Sequence, residues 1–333
     1  MTLAAAPLSV LDLAIVGRDE TAADALASAV TFAQRAEQLG YRRVWYAEHH
    51  NMASIASSAT SVLIAHVAAH TSTIRLGSGG IMLPNHTPLT IAEQFGTLAT
   101  LHPGRIDLGL GRAPGTDQNT MRALRRDERA ADSFPDDVLE LQAYLQGSSR
   151  IPGVEAVPGA GTDVPLYILG SSLFGAQLAA DLGLPYAFAS HFAPAALLDA
   201  VALYRQRFRP SSQLAEPYVM AAINVLAATE TDDAERQLLE VRRRRVARFV
   251  VAPGRELTDD EADRILASPQ GRQLAHMMHY TAAGDPPTVA RRIEDFAAET
   301  GADEVVTVHA SSTGTERLRS LELLAGALAP AGS

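Results

Sequence analysis

Short apolar runs alternate with longer stretches of helical periodicity along the whole chain. Strand character falls at residues 7–14, 42–47, 73–80, 105–111, 165–170, 185–190, 218–228 and 303–310. Most of these runs are apolar at odd and even positions alike, as strands covered on both faces must be. Between them, "TAADALASAVTFAQRAEQLG" (21–40) sets Leu26, Val30, Ala33 and Ala36 at helical spacing, with Gly40 as the stop. "DDVLELQAYLQG" and "LFGAQLAADLG" repeat that logic. Strand followed by helix, eight times over, predicts an α/β protein of the (β/α)8 TIM-barrel type, with a doubly wound open sheet as the competing architecture. No linker or composition shift interrupts the pattern, so residues 1–333 are expected to form one domain. Two segments exceed a plain barrel: the Pro/Gly/Asp-rich stretch 147–164, and an insertion at 247–288 between strands seven and eight. Both are expected to act as lids or binding loops.

Composition narrows the chemistry. The net charge of −10 disfavours nucleic acid and anionic membranes, which need a basic face, and leaves a small molecule as the expected partner. There is no Cys, which removes disulfides, thiolate nucleophiles and Cys-ligated metals, and no Lys, which removes Schiff-base chemistry and the phosphate-binding P-loop. The opening "MTLAAAPLSVLDLAIV" lacks the basic start of a secretion signal, and no stretch stays apolar long enough to span a bilayer. A cytoplasmic location is the expectation.

In such barrels the chemistry collects where strands end at their C-terminal side. Those ends carry Asp12, "EHHN" (48–51), "GSGGIMLPNH" (77–86), "GRAPG" (111–115), "GSSLFG" (170–175), "SHF" (190–192) and Asn224. For Glu48, His49 and His50 a metal site would need further ligands, and strand one offers Asp12 with no His near it, so no metal is expected. A hydrogen-bonded structural role is open; an acid/base role for one imidazole is favoured because that ring titrates near neutrality. Gly79 and Gly80 either make a tight turn or let a planar ligand lie against bare backbone. Arg112 sits in a Gly/Pro loop suited to a phosphate, and Ser171 or Ser172 is expected to cap the next helix, whose first N–H groups form an anion site. "VRRRRVAR" (241–248) reads as a solvated helix face or a basic lip, and Met277, Met278 and Tyr280 as core or apolar pocket lining.

With these pieces in place the sequence resembles the bacterial luciferase-like, flavin-dependent monooxygenases, especially the single-chain alkanal monooxygenase-like oxidoreductases. The likeness rests on "YAEHHN", "GSGGIMLPNHTPLTIAEQFGTL", "HPGRIDLGLGRAPGTD" and "LYILGSSLFGAQLAA", and spans nearly the whole chain. It implies a barrel that takes reduced FMN from a separate reductase and uses O2 to oxidise a small apolar substrate such as an aldehyde or ketone. It implies His49 as the catalytic histidine, Gly79 and Gly80 against the flavin ring across a non-prolyl cis peptide, Arg112 on the phosphate, and Ser171, Ser172 and Gly175 in the strand-five loop. Luciferase has Cys where this chain has Gly111 and Glu where it has Ser171, so light emission is not implied. A homodimer through helices two and three is expected, with "SVLIAHVAAH" (61–70) as the apolar face. The alternatives are a deazaflavin- or NAD(P)H-dependent hydride-transferring reductase and a flavin-binding protein without turnover.

Overall fold

The computed structural model describes residues 6–17, 19–113, 116–250 and 257–329. In chain order the elements are β1 (Leu8–Asp12), α1 (Ala22–Gln38), β2 (Arg43–Tyr46), α2 (Thr60–Ala68), β3 (Arg75–Met82), α3 (Pro88–Leu101), β4 (Ile106–Gly111), α4 (Gln118–Ala123), α5 (Phe134–Leu145), β5 (Leu166–Gly170), α6 (Leu173–Leu182), β6 (Tyr186–Phe188), α7 (Leu197–Arg207), β7 (Val219–Ala227), α8 (Thr231–Val250), α9 (Asp259–Leu266), α10 (Pro269–Met277), β8 (Thr281–Gly284), α11 (Pro286–Thr300), β9 (Glu304–His309) and α12 (Gly314–Leu328). All pairings between these strands are parallel. β1 to β7 follow one another, β7 also bonds β9, and β9 bonds β1, which closes the expected eight-stranded barrel. β8 stands outside the ring, paired with residues 224–227 at the end of β7.

That extra strand shifts the insertion. Thr231–Val250 has the periodicity of an ordinary barrel helix, but α11, after β8, occupies the regular position before β9. The insertion therefore begins at the end of β7, well ahead of residue 247, and consists of α8, α9, α10 and β8. Residues 251–256 lie outside the described ones. Because β8 joins the C-terminal end of β7, the whole insertion stands at the barrel mouth.

Segment 147–164 does not act as a lid. It joins α5 to β5 and so lies at the opposite end, where helices return to strands. Its backbone packs onto α3: a Cβ on Gly96 would stand 2.1 Å from the Cα of Gly159. Since backbone cannot yield as a flexible side chain can, Gly96→Ala is expected to destabilise the fold by about 1–3 kcal/mol. An unchanged urea midpoint would contradict this packing. A hollow of about 270 Å³ between Tyr144, Ile151 and Pro152 belongs to this far end, remote from every candidate site residue.

The core has two layers. Between helices and barrel, α1 turns Ala25, Ala29, Phe32, Ala33 and Ala36 inward, the small residues letting the helix approach the strands. α2 likewise buries Leu63, Ile64 and Val67, so most of the apolar run at 61–70 is taken up by this chain's own barrel, and Val62 remains 67% exposed. Inside the barrel lie Leu11, Trp45, Tyr167, Met220, Ala222, Val306 and Val308. Below them, at the strand starts, a buried ionic cluster plugs the far end. Arg43 Nη1 donates to Asp107 Oδ2 at 2.7 Å and to Tyr167 Oη at 2.8 Å, and Arg43 Nε lies 2.8 Å from Glu304 Oε1. Trp45 Nε1 and Arg75 also donate to Asp107, while Ser9 and Tyr218 donate to Glu304. Burial alone would favour a neutral guanidine, but the Asp107 and Glu304 carboxylates outweigh it and hold Arg43 firmly protonated. The far end of the barrel interior is thus filled by a paired ionic cluster.

Candidate active site

The loop after β2 is organised by Glu48, which is 1% exposed. Its Oε2 accepts the N–H of Met82 at 3.0 Å, and its Oε1 accepts from His50 Nε2 at 2.7 Å and His86 Nε2 at 2.8 Å. One carboxylate therefore ties this loop to the end of β3 and to the short turn at Leu83–Asn85. Burial raises the proton affinity of Glu48, yet these donors together hold it below its usual range, and the same bond raises His50. Among the described residues, Glu48, His50 and His86 form the one group of three whose ligand atoms lie within 4.8 Å of one another and could hold a metal ion. Their mutual hydrogen bonds account for the arrangement without one.

His49 belongs to a different group. Its Nδ1 is buried without a partner, as are His191 Nδ1 after β6 and Asn224 Oδ1 in β7. Asn224 Nδ2 donates to the His191 carbonyl at 2.6 Å, which fixes the amide beside that histidine. Burial first, then the charge of Arg248, pushes His49 down to about 4; burial, then Arg245, pushes His191 down to about 3. Both imidazoles are neutral at pH 7, so His49 does not titrate near neutrality as its residue type suggests. It meets a partner as a neutral ring, able to donate from one nitrogen and accept at the other.

Acid should therefore destabilise the fold. Unfolded histidines protonate near 6.5. In the native state His49 protonates at about 4, and His191 and the buried His309 at about 3. Between those limits the unfolded chain binds protons that the native one refuses, so stability falls as pH falls. From pH 7 to pH 5 each histidine is expected to cost about 1–2 kcal/mol. The carboxylate of Glu48, held low, acts only in a more acidic window. Urea midpoints at the two pH values check this, with His309→Gln flattening the slope; a midpoint that does not move contradicts it.

The Gly79–Gly80 peptide bond is cis, and the pairing of β3 with β4 slips between Ser78 and Ile81. A Cβ on Gly79 would stand 2.6 Å from Leu11 Cδ1, and one on Gly80 2.7 Å from the Gly109 carbonyl oxygen. Backbone at Gly109 thus demands glycine at position 80, whereas at Gly79 the first obstacle is the movable end of Leu11, with Trp45 Cβ at 3.0 Å behind it. Gly79 stays partly open and Gly80 is buried. Gly175 is buried inside the first turn of α6, where a Cβ would meet the Tyr186 ring at 3.3 Å; its smallness lets α6 approach β6.

At the next loop Arg112 is exposed, with Nε donating to the Ala131 carbonyl at 3.2 Å and Cζ 4.2 Å from the ring centroid of Phe174. Pro114 and Gly115 of this loop lie outside the described residues. Phe174 is in the first turn of α6. Ser172 has the extended dihedrals of an N-cap residue, yet its side chain makes no capping bond, contrary to the capping expected of this serine pair. What holds Ser172 is its carbonyl, which accepts from Tyr186 Oη at 3.0 Å. Among the described residues no side chain accepts from the first N–H groups of α6, which start beside a guanidinium: two positive features at one place. Elsewhere, Met278 packs with Leu226 and Val241, and Tyr280 lies in the outer core, so the "AHMMHY" stretch is largely packing.

The family model described as luciferase-like monooxygenase matches residues 8–304. The luciferase-like monooxygenase of Escherichia coli (strain K12) is 47% identical over 321 residues, covering 95% of each chain. The N-acetyl-S-alkylcysteine monooxygenase of Bacillus subtilis (strain 168) is 36% identical over 257 residues, 75% of each chain. The crystal structure of apo-MsnO8 shares the fold with a TM-score of 0.87 at 35% identity, over 97% of this chain and 98% of that one.

Proposed function

The chain belongs to the luciferase-like monooxygenase family of flavin-dependent oxidoreductases, and on that premise we propose that it is the oxygenating component of a two-component system. Reduced FMN, delivered by a separate reductase, and O2 are used to oxidise a small apolar substrate such as an aldehyde or ketone. The observation that carries this reading is Arg112 stacked on Phe174 beside the uncapped start of α6. Guanidinium and helix N-terminus together suit a phosphate monoester dianion, the feature that distinguishes FMN from riboflavin.

The residues of the mouth fit that cofactor. Arg112 and the first N–H groups of α6 would hold the phosphate, and the backbone at Gly79 would offer bare surface to a ring. Reduced flavin supplies the electrons that activate oxygen. The chain does the rest. Neutral His49, whose Nδ1 has no partner among the described residues, would donate or accept one hydrogen bond at the reacting centre. Leu11, Trp45, Ala47 and Val308 line the barrel interior and keep water out. Assembly as a homodimer through α2 and α3 belongs to the same reading; Val62 and Leu101 are the large apolar side chains these helices leave exposed, and light scattering decides it.

Anaerobic titration with reduced FMN and reduced riboflavin tests the reading. FMN is expected to bind about 10–100-fold more tightly, and Arg112→Ala to erase most of the difference, as loss of a charged hydrogen-bonding partner should. Equal affinity for the two flavins contradicts it.

A further inference from the structure

The arginines of α8 do not form one solvated face. Arg243 Nη1 donates to Asp259 at 2.6 Å and its Nε to Asp263 at 2.7 Å. Arg244 donates to the carbonyls of Ser312 at 3.1 Å and Val16 at 2.8 Å, fastening α8 over the loops that follow β9 and β1. Arg245 differs from both. It follows Val241 by one turn, and Val241 packs inward on Leu226 and Met278, so Arg245 shares the helix face turned toward the barrel mouth. It is partly buried, and among the described residues neither a carboxylate nor a hydrogen-bond acceptor meets its guanidinium. Arg248, on the same face a turn later, is exposed and touches Met52 Sδ at 2.8 Å in the loop after β2, again with no carboxylate.

Their charges reach the site already described. Arg248 disfavours protonation of His49, and Arg245 that of His191. Burial, then Arg248, lowers the proton affinity of Arg245 itself, to about 10. Among the described residues, Glu48 is engaged by three donors, Asp12 by the N–H of Ala14 at 2.8 Å, and Asp117 by Asn51 and Thr120. Among the described residues, two cations at the mouth of a chain of net charge −10 thus stand without a carboxylate partner, above an apolar barrel interior. A half-desolvated guanidinium without a counter-charge is unfavourable unless an anion completes it, and its planar fork matches a carboxylate.

We propose that the aldehyde or ketone oxidised at this mouth is apolar only in its body, which extends past His49 and His191, and carries a carboxylate gripped by Arg245 with Arg248 beside it. The substrate role rests on the flavin-dependent reading of the same site; the anion site does not. Its place on α8 makes the insertion the element that selects substrate.

Isothermal titration of the whole protein with hexanoate and with hexan-1-ol tests this without any flavin. Hexanoate is expected to bind at least about 10-fold more tightly, a margin that shrinks with added salt and disappears in Arg245→Met. Equal binding of the two ligands by the wild type overturns the proposal with no variant needed. So does a carboxylate preference that survives Arg245→Met, or Arg245→Gln should the methionine variant fail to fold. Reduced FMN and reduced riboflavin titrated into the same variant separate the two readings. A carboxylate preference in a protein that binds neither flavin keeps the anion site and removes the flavin; flavin binding without the preference does the reverse. Loss of the FMN-over-riboflavin difference in Arg245→Met would assign this arginine to the cofactor phosphate and overturn the substrate role.

Discussion

Replacing Arg43 by methionine is expected to destabilise the protein by about 3–5 kcal/mol, the usual result of removing one partner from a buried ionic cluster. Arg43 is 2% exposed, and Asp107 and Glu304 are fully buried, so neither carboxylate can turn to water once the guanidinium is gone. Asp107 would keep Arg75 and Trp45; Glu304 would keep Tyr218, Ser9 and the exposed Arg42, 3.6 Å away. Part of the loss should therefore be recovered by Glu304→Gln in the methionine background, since what destabilises is the uncompensated charge more than the missing contact. Urea unfolding of the two variants checks both statements. A single variant within about 1 kcal/mol of wild type would mean that the plug contributes packing alone.

The second large effect concerns the mouth. His49→Asn is expected to lower the rate of oxygen-dependent turnover about 100-fold or more on any aldehyde or ketone the wild type accepts, with little change in affinity for reduced FMN. The separation follows from position: His49 lies at the end of β2, whereas the phosphate-binding features belong to Arg112 and α6. The wild-type rate should stay flat through neutrality and fall as pH approaches 4, where the ring becomes protonated and its accepting nitrogen is lost. Single-turnover kinetics with preloaded reduced FMN measures this. A rate left unchanged by His49→Asn, or a wild-type rate that rises on acidification, contradicts a neutral His49 at the reacting centre.

The barrel was legible because each ring strand is an apolar run covered on both faces, so its period survives in the sequence; strand bounds differ from the expected ones by two residues at most. β8 was not legible: "TAAG" has one branched residue and draws its pairing from the neighbouring end of β7. The start of the insertion was hidden for the opposite reason, since α8 has the length and periodicity of a regular barrel helix and only the later α11 shows otherwise. Strand-end logic brought His49, Arg112 and the Ser171–Ser172 pair to one mouth without revealing their states. Burial keeps His49 neutral, helped by the charge of Arg248, which lies on α8 and is distant in sequence. Ser172 makes no side-chain cap, and the bond its carbonyl accepts from Tyr186 on the next strand has no signal in the sequence. Gly79 and Gly80 invited a ligand explanation; for Gly80 the backbone of Gly109 is a second reason to be glycine, invisible before the strands are paired. His86 was visible only as the end of the quoted "LPNH" stretch, with nothing to link it to Glu48 before the fold joined them. Arg245 was one of four identical neighbours, and only the fold shows that Arg243 and Arg244 have protein partners while Arg245 shares the face of Val241.

The most direct test of the central claim, a flavin phosphate held by Arg112 and the start of α6 with its ring over Gly79 near His49, is the crystal structure of the protein soaked with FMN. The account predicts phosphate density against the Arg112 guanidinium and the first N–H groups of α6, and the ring system inside the mouth. A phosphate bound at Arg245 instead, or a ring outside the barrel, would contradict it.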